Sequence, residues 1–329
     1  MKGGKLPTVC DANVVLGYLP SDAQLGGAMA INREAAVAAV QTVADSLGLD
    51  LMEAAEGIIR IANEAMFGAL RLVSVEQGYD PRDFSLVGFG GAGPLHANAL
   101  GRLVDSFPVI VPPGPGVLCA YGDATTQVQD EATRTYSAMA DNLTKEQLLT
   151  DLLSLRDRAA QSLMADGIAA EDQIATYQAD IRYAGQAFQI SIDFNADDLQ
   201  QQGVALLTDA FDKEHEKLFT FKLGEGHEIV MIRSVVKARP ANLVLKQQSD
   251  TSASLEDCII HNSKIYYQGQ WHPANIYDRK PLHQELTITG PAIITEMDST
   301  TLVLPDYQAR VDSVGNLLIE PIANQHGGA

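Results

Sequence analysis

Apolar residues recur at steps of three and four positions in two adjoining segments, 32–48 and Asp50–Gln77. This spacing predicts two α-helices, the first ending at Gly48 and the second at Gly78. The second helix is rich in alanine and apolar around almost its whole circumference. We therefore expect other elements, or another chain, to cover it on several sides.

The stretch Ser85–Ala97 combines a short apolar run, a group of glycines and a helix that can begin at Pro94. Glycine allows a sharp turn and a close approach to a ligand, because it has no Cβ. A strand, a glycine turn and a helix start form nucleotide and anion sites in α/β proteins. The spacing matches neither GxGxxG nor a P-loop, so a ligand site and a tight structural turn both stay open.

The remaining segments divide the chain into regions of different pattern. A strand at 108–111 precedes the rigid turn Pro112–Gly116, and residues 32–125 fit an α/β fold with parallel strands. An α+β pattern follows, and after Pro240 short strands alternate with turns, as in a small β-sandwich or barrel. A polar linker is expected near 241–254. The predicted domains are 1–130, 131–240 and 241–329.

The α+β region is predicted in more detail from its periodicity. It contains a charged amphipathic helix over 144–165, a strand pair over 177–194 broken near Gly185, a helix over 197–218 and a strand over 228–237. On the second of these helices His215 lies between two glutamates, so we expect its side chain to face solvent.

Composition and charge narrow the possible partners. The 329 residues carry a net charge of −19, which argues against nucleic acid or an anionic membrane as a partner. No apolar run is long enough for a membrane span, and the first residues have no apolar signal core. The three cysteines are far apart in sequence and predict reduced thiols. Together these features favour a cytoplasmic location.

Three polar residues are candidates for chemistry. Asp11 and Asn13 are two positions apart, so in an extended segment both would lie on one face and suit Mg²⁺ or a polar substrate. A turn or helix cap is an equal alternative. His96, in the first turn after the glycines, would stay neutral there and could ligate a metal together with Asp11 or act as a base. A capped, hydrogen-bonded histidine is the favoured alternative.

Several phrases of the chain resemble one known family. PTVCDANVVLGYLP, LGGAM, SVEQGYDPRDFSLVGFGGAGPLHA and VIVPPGPGVLCAYG occur in the order seen in the hydantoinase A / 5-oxoprolinase family. RYAGQAFQI and GPAIITEMDSTTLVLP resemble later landmarks of that family. The resemblance implies an actin/hexokinase-like fold and the use of ATP with Mg²⁺. It also implies hydrolysis of cyclic amides or substrate activation in ketone carboxylases, with a hydantoinase B-type partner.

The chain also departs from the family pattern. Cys10 stands where the family has threonine, and Tyr18 where it has arginine. The two phosphate loops of such proteins lie upstream of the Asp-Ala-Asn phrase, and no D-x-G-G-T or M-G-G-T occurs here. The resemblance therefore implies the C-terminal half of a family member, with a partial actin-like (ribonuclease H-like) α/β domain. The missing N-terminal actin-like half is then an expected partner.

On this reading the functional expectations are specific. In the superfamily a strand–glycine–helix element cradles the nucleoside, and Gly90, Gly91 and Gly93 match that place. The implied function is a subunit of an ATP-dependent cyclic-amide hydrolase that is inactive alone and binds a small-molecule substrate in an oligomeric assembly. A subunit of a ketone carboxylase and a non-catalytic scaffold are the alternatives, and the absent phosphate loops favour the scaffold.

Overall fold

The computed structural model describes residues 4, 6–21, 24–25, 29–240 and 252–322. The described residues group into two compact units, one formed by 1–124 with 244–329 and one by 125–243. We call them unit 1 and unit 2. The predicted linker near 241–254 and the LGGAM phrase at 25–29 lie largely outside the described residues. Unit 1 contains residues of both the first and the last predicted domain. The division into three domains stays a prediction.

The described helices and strands follow one another in a mixed α/β order. The helices are α1 (Val9–Leu16), α2 (Arg33–Leu47), α3 (Leu51–Val73), α4 (Gly93–Val104), α5 (Leu118–Thr125), α6 (Lys145–Ala165), α7 (Ala196–Gln202) and α8 (Ala205–Phe219). The strands are β1 (Gln24–Leu25), β2 (Met29–Ala30), β3 (Leu86–Val87), β4 (Val109–Val111), β5 (Gln129–Met139), β6 (Gln173–Tyr183), β7 (Ile190–Phe194), β8 (His227–Ala238), β9 (Ile259–Tyr267), β10 (Gln270–Asp278), β11 (Thr287–Thr289), β12 (Ala292–Thr295), β13 (Thr300–Val303), β14 (Tyr307–Val311) and β15 (Leu317–Pro321).

The predicted helices α2 and α3 are confirmed, because their ends carry the capping groups that backbone geometry demands. The Asn32 side chain accepts a hydrogen bond from an N–H of the first turn of α2, and Gly48 ends that helix with a φ of 67°. Asp50 and Glu53 form a capping box at the start of α3. The α-helical part of α3 ends at Val73, and one 3₁₀ turn continues to Gly78.

The segment around Asp11 and Asn13 is helical, so of the two alternatives predicted from the sequence the helix cap is present at Asp11 and the extended segment is not. Thr8 caps α1 through its hydroxyl oxygen, which accepts from the Asp11 N–H at 3.2 Å, and the Asp11 carboxylate accepts from the Thr8 N–H at 2.8 Å. This reciprocal pair satisfies two N–H groups at the helix start and stabilises the helical form. Asp11 and Asn13 therefore do not point to one face.

The five-stranded sheet of unit 1 joins strands from residues 86–111 with strands from residues 287–321. Its strand order is β11-β14-β15-β4-β3, with β3 parallel to β4 and β15 antiparallel to β4, where Ile319 pairs with Val109. A second sheet has the order β13-β12-β10-β9. The predicted separate C-terminal sandwich or barrel is thus not observed, because three of its strands extend the α/β sheet and share its hydrophobic core.

Helix α3 is covered over only part of its length in unit 1. Its buried side chains are Ala54, Ala55, Ile59 and Asn63, all in the first two thirds of the helix. Near its C-terminus Leu72 and Val73 are exposed. The expectation that further elements or another chain cover the remaining apolar face therefore stays a prediction.

Unit 2 is an α+β unit, as predicted from its sequence pattern. Its sheet has the order β5-β8-β6-β7, and β6 and β7 form the predicted antiparallel pair on either side of Gly185. Helices α6 and α8 contribute Leu148, Leu152 and Phe211 to the core of this unit. The prediction of a solvent-facing His215 is wrong: its side chain is fully buried and packs against Tyr183 and Phe219.

Candidate functional site

The glycine-rich stretch forms a loop between β3 and α4, which we call the glycine loop (residues 88–93). The Gly88 N–H donates to the Ile110 carbonyl at 2.8 Å, and the Gly90 N–H donates to the Pro115 carbonyl at 2.7 Å. Helix α4 begins at Gly93, with Pro94 in its first turn and no side-chain cap at Ala92. The strand–glycine–helix arrangement predicted from sequence is therefore present.

The glycines of the loop have different reasons to be glycine. A Cβ on Gly88 would lie 2.6 Å from the Ala97 Cβ, so the close packing of Ala97 requires glycine at this position. Gly90 has a φ of 84°, which favours glycine, but a Cβ there would meet no atom within 4 Å. A Cβ on Gly91 would have one neighbour, the Asp298 carbonyl oxygen at 3.4 Å. The loop thus leaves open space beside Gly90 and Gly91.

A turn at Asp298 and Ser299, distant in sequence, contacts the glycine loop. The Ser299 hydroxyl lies 3.3 Å from the carbonyl oxygens of both Gly90 and Gly91 and can donate to either. The Asp298 carbonyl oxygen would lie 2.4 Å from a Cβ on Gly116. The proline-rich turn (Pro112–Gly116) therefore also lies close to Asp298. Sequence reasoning missed Asp298 and Ser299 as parts of the site, although both belong to the GPAIITEMDSTTLVLP landmark.

A buried ion pair fixes these turns. Arg279 is 7% exposed, and its guanidinium donates to the Glu296 carboxylate at 2.9 Å and to the Val111 carbonyl at 2.8 Å. The second Glu296 oxygen accepts from the Gly114 N–H at 3.2 Å. Burial raises the pKa of Glu296, and the charge of Arg279 opposes that rise. The pair therefore connects the end of β4, the proline-rich turn and the segment that leads from Glu296 to Ser299.

His96 forms a buried hydrogen bond, the favoured one of its two predicted alternatives. Its Nδ1 lies 2.8 Å from the Asn63 Oδ1 of α3, and 6% of the residue is exposed. Burial lowers the pKa of His96, so the imidazole is neutral near pH 7. With the amide oxygen as acceptor, Nδ1 carries the proton and Nε2 is an acceptor. Sequence reasoning missed Asn63, since 33 positions separate the two residues.

The predicted metal site at Asp11 and His96 has no support in the geometry. Asp11 is engaged in the cap of α1, and His96 is bonded to Asn63. Asn13 is 2% exposed, and its Oδ1 has no hydrogen-bond partner in the described part of the chain. Within residues 4, 6–21, 24–25, 29–240 and 252–322, no three His, Cys, Asp or Glu side chains are placed to hold a metal ion.

The glycine loop is open on the side where a Cβ of Gly90 or Gly91 would lie. At the start of α4 no side chain caps the helix, Pro94 has no N–H, and the Leu95 N–H donates to the Ala92 carbonyl at 3.1 Å. Among the described helices, none alone is long and apolar enough to cross a membrane, although the bent pair 33–47 and 51–77 would pass by length and composition.

Comparison with known proteins identifies relatives along nearly the whole chain. It is 32% identical to the caprolactamase subunit alpha of Pseudomonas jessenii over 97% of this chain and 47% of the relative. It is 29% identical to the acetone carboxylase beta subunit of Xanthobacter autotrophicus over 91% of this chain and 44% of that subunit. The chain therefore spans about half the length of these curated relatives.

A solved structure shares the fold. The crystal structure of the ATP-dependent caprolactamase from Pseudomonas jessenii matches with a TM-score of 0.87 and 31% identity, over 97% of this chain and 47% of that one. The hydantoinase/oxoprolinase model matches residues 1–132, and the model of the hydantoinase/oxoprolinase C-terminal domain matches residues 137–317. With the glycine loop, its supporting turn and both matched regions in place, the chain belongs to the hydantoinase/oxoprolinase family.

Proposed function

We propose that this chain is the C-terminal half or a subunit of an ATP-dependent enzyme that hydrolyses a cyclic amide. Its similarity to an ATP-dependent caprolactamase and its membership of the hydantoinase/oxoprolinase family support this reaction class. The N-terminal actin-like half would supply the phosphate loops that this sequence lacks, and a hydantoinase B-type subunit would complete the assembly. Unit 1 would then contain a partial actin-like domain.

The observation that carries the proposal is the open, supported face of the glycine loop. Gly90 and Gly91 would lie against the nucleoside, and Ser299 would hold their carbonyl groups in place. ATP would supply the phosphoryl group that activates the amide. In this chain the Arg279–Glu296 pair would keep the loop and the proline-rich turn at a fixed distance. The described residues contain no group of three His, Cys, Asp or Glu side chains that could hold a metal ion, and no step of this chain is assigned to Mg²⁺.

A subunit of a ketone carboxylase is the second candidate. The similarity to the beta subunit of acetone carboxylase favours it, because the nucleotide loop would serve either reaction. A non-catalytic scaffold role is the third candidate. Turnover assays on the assembled enzyme separate the three candidates. Turnover of a lactam supports the hydrolase, and turnover of a ketone with bicarbonate supports the carboxylase. If the chain is a scaffold, changes in the glycine loop should affect neither reaction.

The experiment that tests the nucleotide role compares two Gly→Ala changes in the assembled enzyme. Gly91→Ala should weaken ATP binding about tenfold, which is ~1.4 kcal/mol, because the methyl group enters the space beside the loop. Its melting temperature should stay close to that of the parent. Titration calorimetry and thermal unfolding on one preparation measure both quantities.

Gly88→Ala is the matched control, because its Cβ would clash with Ala97 rather than reach open space. It should lower the stability of unit 1 by about 1–3 kcal/mol through overpacking. An unchanged ATP dissociation constant in Gly91→Ala would contradict the nucleotide role. The chain alone should not hydrolyse ATP, and metal-dependent turnover by the purified chain would contradict its dependence on a partner half.

A further inference from the structure

A cleft in unit 1 lies where α3 faces the later turns of α4, and no residue of the glycine loop lines it. It has a volume of about 320 Å³, and its apolar floor includes Ile59, Ala99 and Leu304. The polar groups around this floor are Tyr18, Glu56, Arg60, Glu64, Arg102 and Tyr267. An apolar floor with a few convergent polar groups is the usual form of a small-molecule site.

Two tyrosine hydroxyls meet at this cleft. Tyr18 is 5% exposed, lines the cleft, and its hydroxyl makes no hydrogen bond to any described residue. Burial raises the pKa of Tyr18, so the hydroxyl keeps its proton and can donate. The Tyr267 hydroxyl accepts from the Arg102 guanidinium at 2.5 Å, which orients that guanidinium at the edge of the cleft. One positioned cation and one unused donor therefore face the same space.

Helix α3 adds three charges of alternating sign. Glu56, Arg60 and Glu64 follow one another at intervals of four residues, so they lie on one face of the helix. At this spacing successive Cβ atoms are about 6 Å apart. Oppositely charged residues at this spacing commonly pair with each other on a solvated surface. Here the described residues contain no ion pair among the three. Their charges remain available to a ligand.

We infer that this cleft binds a small zwitterion, with an ammonium group at the glutamates and a carboxylate group at Arg60 and Tyr18. The lining holds two carboxylates, Glu56 and Glu64, and two guanidinium groups. A ligand of a single charge meets repulsion from one pair, whereas a ligand that carries both charges is attracted by each pair. Charges one helical turn apart match a four-carbon ω-amino acid. The inference does not depend on the nucleotide role of the glycine loop.

The test uses the full chain and 4-aminobutyrate as the probe, with butyrate and butylamine as singly charged controls of equal length. Titration calorimetry should give a dissociation constant at least tenfold lower for 4-aminobutyrate than for either control. Tighter or equal binding of butylamine or butyrate would show a simple ion site and overturn the inference. The absence of saturable binding of 4-aminobutyrate up to about 50 mM would also overturn it.

Variants then assign the two ends of the ligand. Arg60→Gln should weaken binding of 4-aminobutyrate at least fivefold, because it removes the charge that faces the carboxylate. Tyr18→Phe should weaken it about two- to fivefold without a change in melting temperature. Arg71→Gln is the matched control, since Arg71 is an exposed arginine of α3 that does not line the cleft. Equal losses in Arg60→Gln and Arg71→Gln would overturn the assignment.

Discussion

Units 1 and 2 differ in how completely their buried polar groups are satisfied. In unit 2 the Tyr183 hydroxyl and the His227 Nε2 both bond to the Asp212 carboxylate, at 2.8 and 2.7 Å. His215 bonds to Gln186 through one ring nitrogen and to the Phe221 carbonyl through the other. A histidine-rich cluster that would invite a catalytic interpretation is therefore saturated by its own neighbours.

Unit 1 keeps several buried polar atoms without a protein partner. Among the described residues these atoms are Asn13 Oδ1, Asn98 Nδ2, His283 Nδ1, Asp298 Oδ2 and Thr301 Oγ1, against only Arg233 Nε in unit 2. An unsatisfied buried group destabilises the fold, so its persistence calls for a reason such as function. Among the described residues, unit 1 therefore carries more unsatisfied buried polar atoms than unit 2.

The strongest test of this difference breaks the one buried ion pair that supports the glycine loop. Arg279→Met leaves the Glu296 carboxylate buried without its partner, and should lower the stability of unit 1 by about 3–5 kcal/mol in denaturant unfolding. The double variant with Glu296→Gln should recover part of the loss. Arg310→Met is the control, because its pair with Glu320 is exposed and should contribute about 0–1 kcal/mol.

The second test removes one hydroxyl from the saturated cluster of unit 2. Tyr183→Phe deletes a hydrogen bond to the Asp212 carboxylate inside a tightly packed core, since Tyr183 is fully buried. We expect a loss of about 1.5–3 kcal/mol, because a bond to a charged acceptor disappears. Urea unfolding followed by the signal of unit 2 measures it. A neutral result would show that the cluster is not the stabilising element described above.

The third test removes a hydroxyl that has no partner. Thr301 is fully buried in β13, and its Oγ1 has no hydrogen-bond partner in the described part of the chain. Thr301→Val should therefore leave unit 1 unchanged or raise its stability by up to about 2 kcal/mol. Loss of more than about 1 kcal/mol would mean that this hydroxyl is satisfied, and the contrast between the units would weaken.

The smallest effect is the response of each unit to acid. Burial lowers the pKa of His96 from its ordinary value of 6.5, so the unfolded chain takes up a proton first and stability falls as pH drops below 6.5. For Asp212, burial acts to raise the pKa, but hydrogen bonds from His227 and Tyr183 outweigh it and lower the pKa below 3.8. The contribution of Asp212 to the stability of unit 2 is therefore lost as pH falls below that value.

Unfolding curves at several pH values should consequently show unit 1 weakening before unit 2. His96→Gln should flatten the response of unit 1 between pH 6.5 and the lower pKa of the folded state. Asp212→Asn should do the same for unit 2 below pH 3.8. If both units weaken together near pH 6.5, the assignment of these two groups is wrong.

Local sequence signals predicted much of the fold. The apolar periodicity and the closing glycines located α2 and α3, and the glycine run located the loop before α4. The helical start at Thr8 was also present in the sequence, as Thr-x-x-Asp, the spacing of a capping box. A cap at this place was predicted only as an alternative to an extended segment, because the short apolar run after it fits a strand or a helix equally well.

Long-range contacts were beyond these signals. The pairing of β15 with β4 and the bond between Arg279 and Glu296 depend on which elements meet in space. The support of the loop by Ser299 spans more than 200 positions. Periodicity reports only which face of an element is apolar, so it cannot name the partner across the core. For the same reason the cleft at Tyr18 could not be found from sequence.

The pairing of Val109 with Ile319 constrains the order in which the sheet of unit 1 can form during translation. On the ribosome, all residues of unit 2 emerge before the strands that complete the large sheet of unit 1. Contacts that join such distant residues form slowly, because a long loop must close first. Strand β4 therefore stays unpaired on one side while residues 125–243 are translated. During that interval the edge of β4 that later pairs with β15 is without its partner strand.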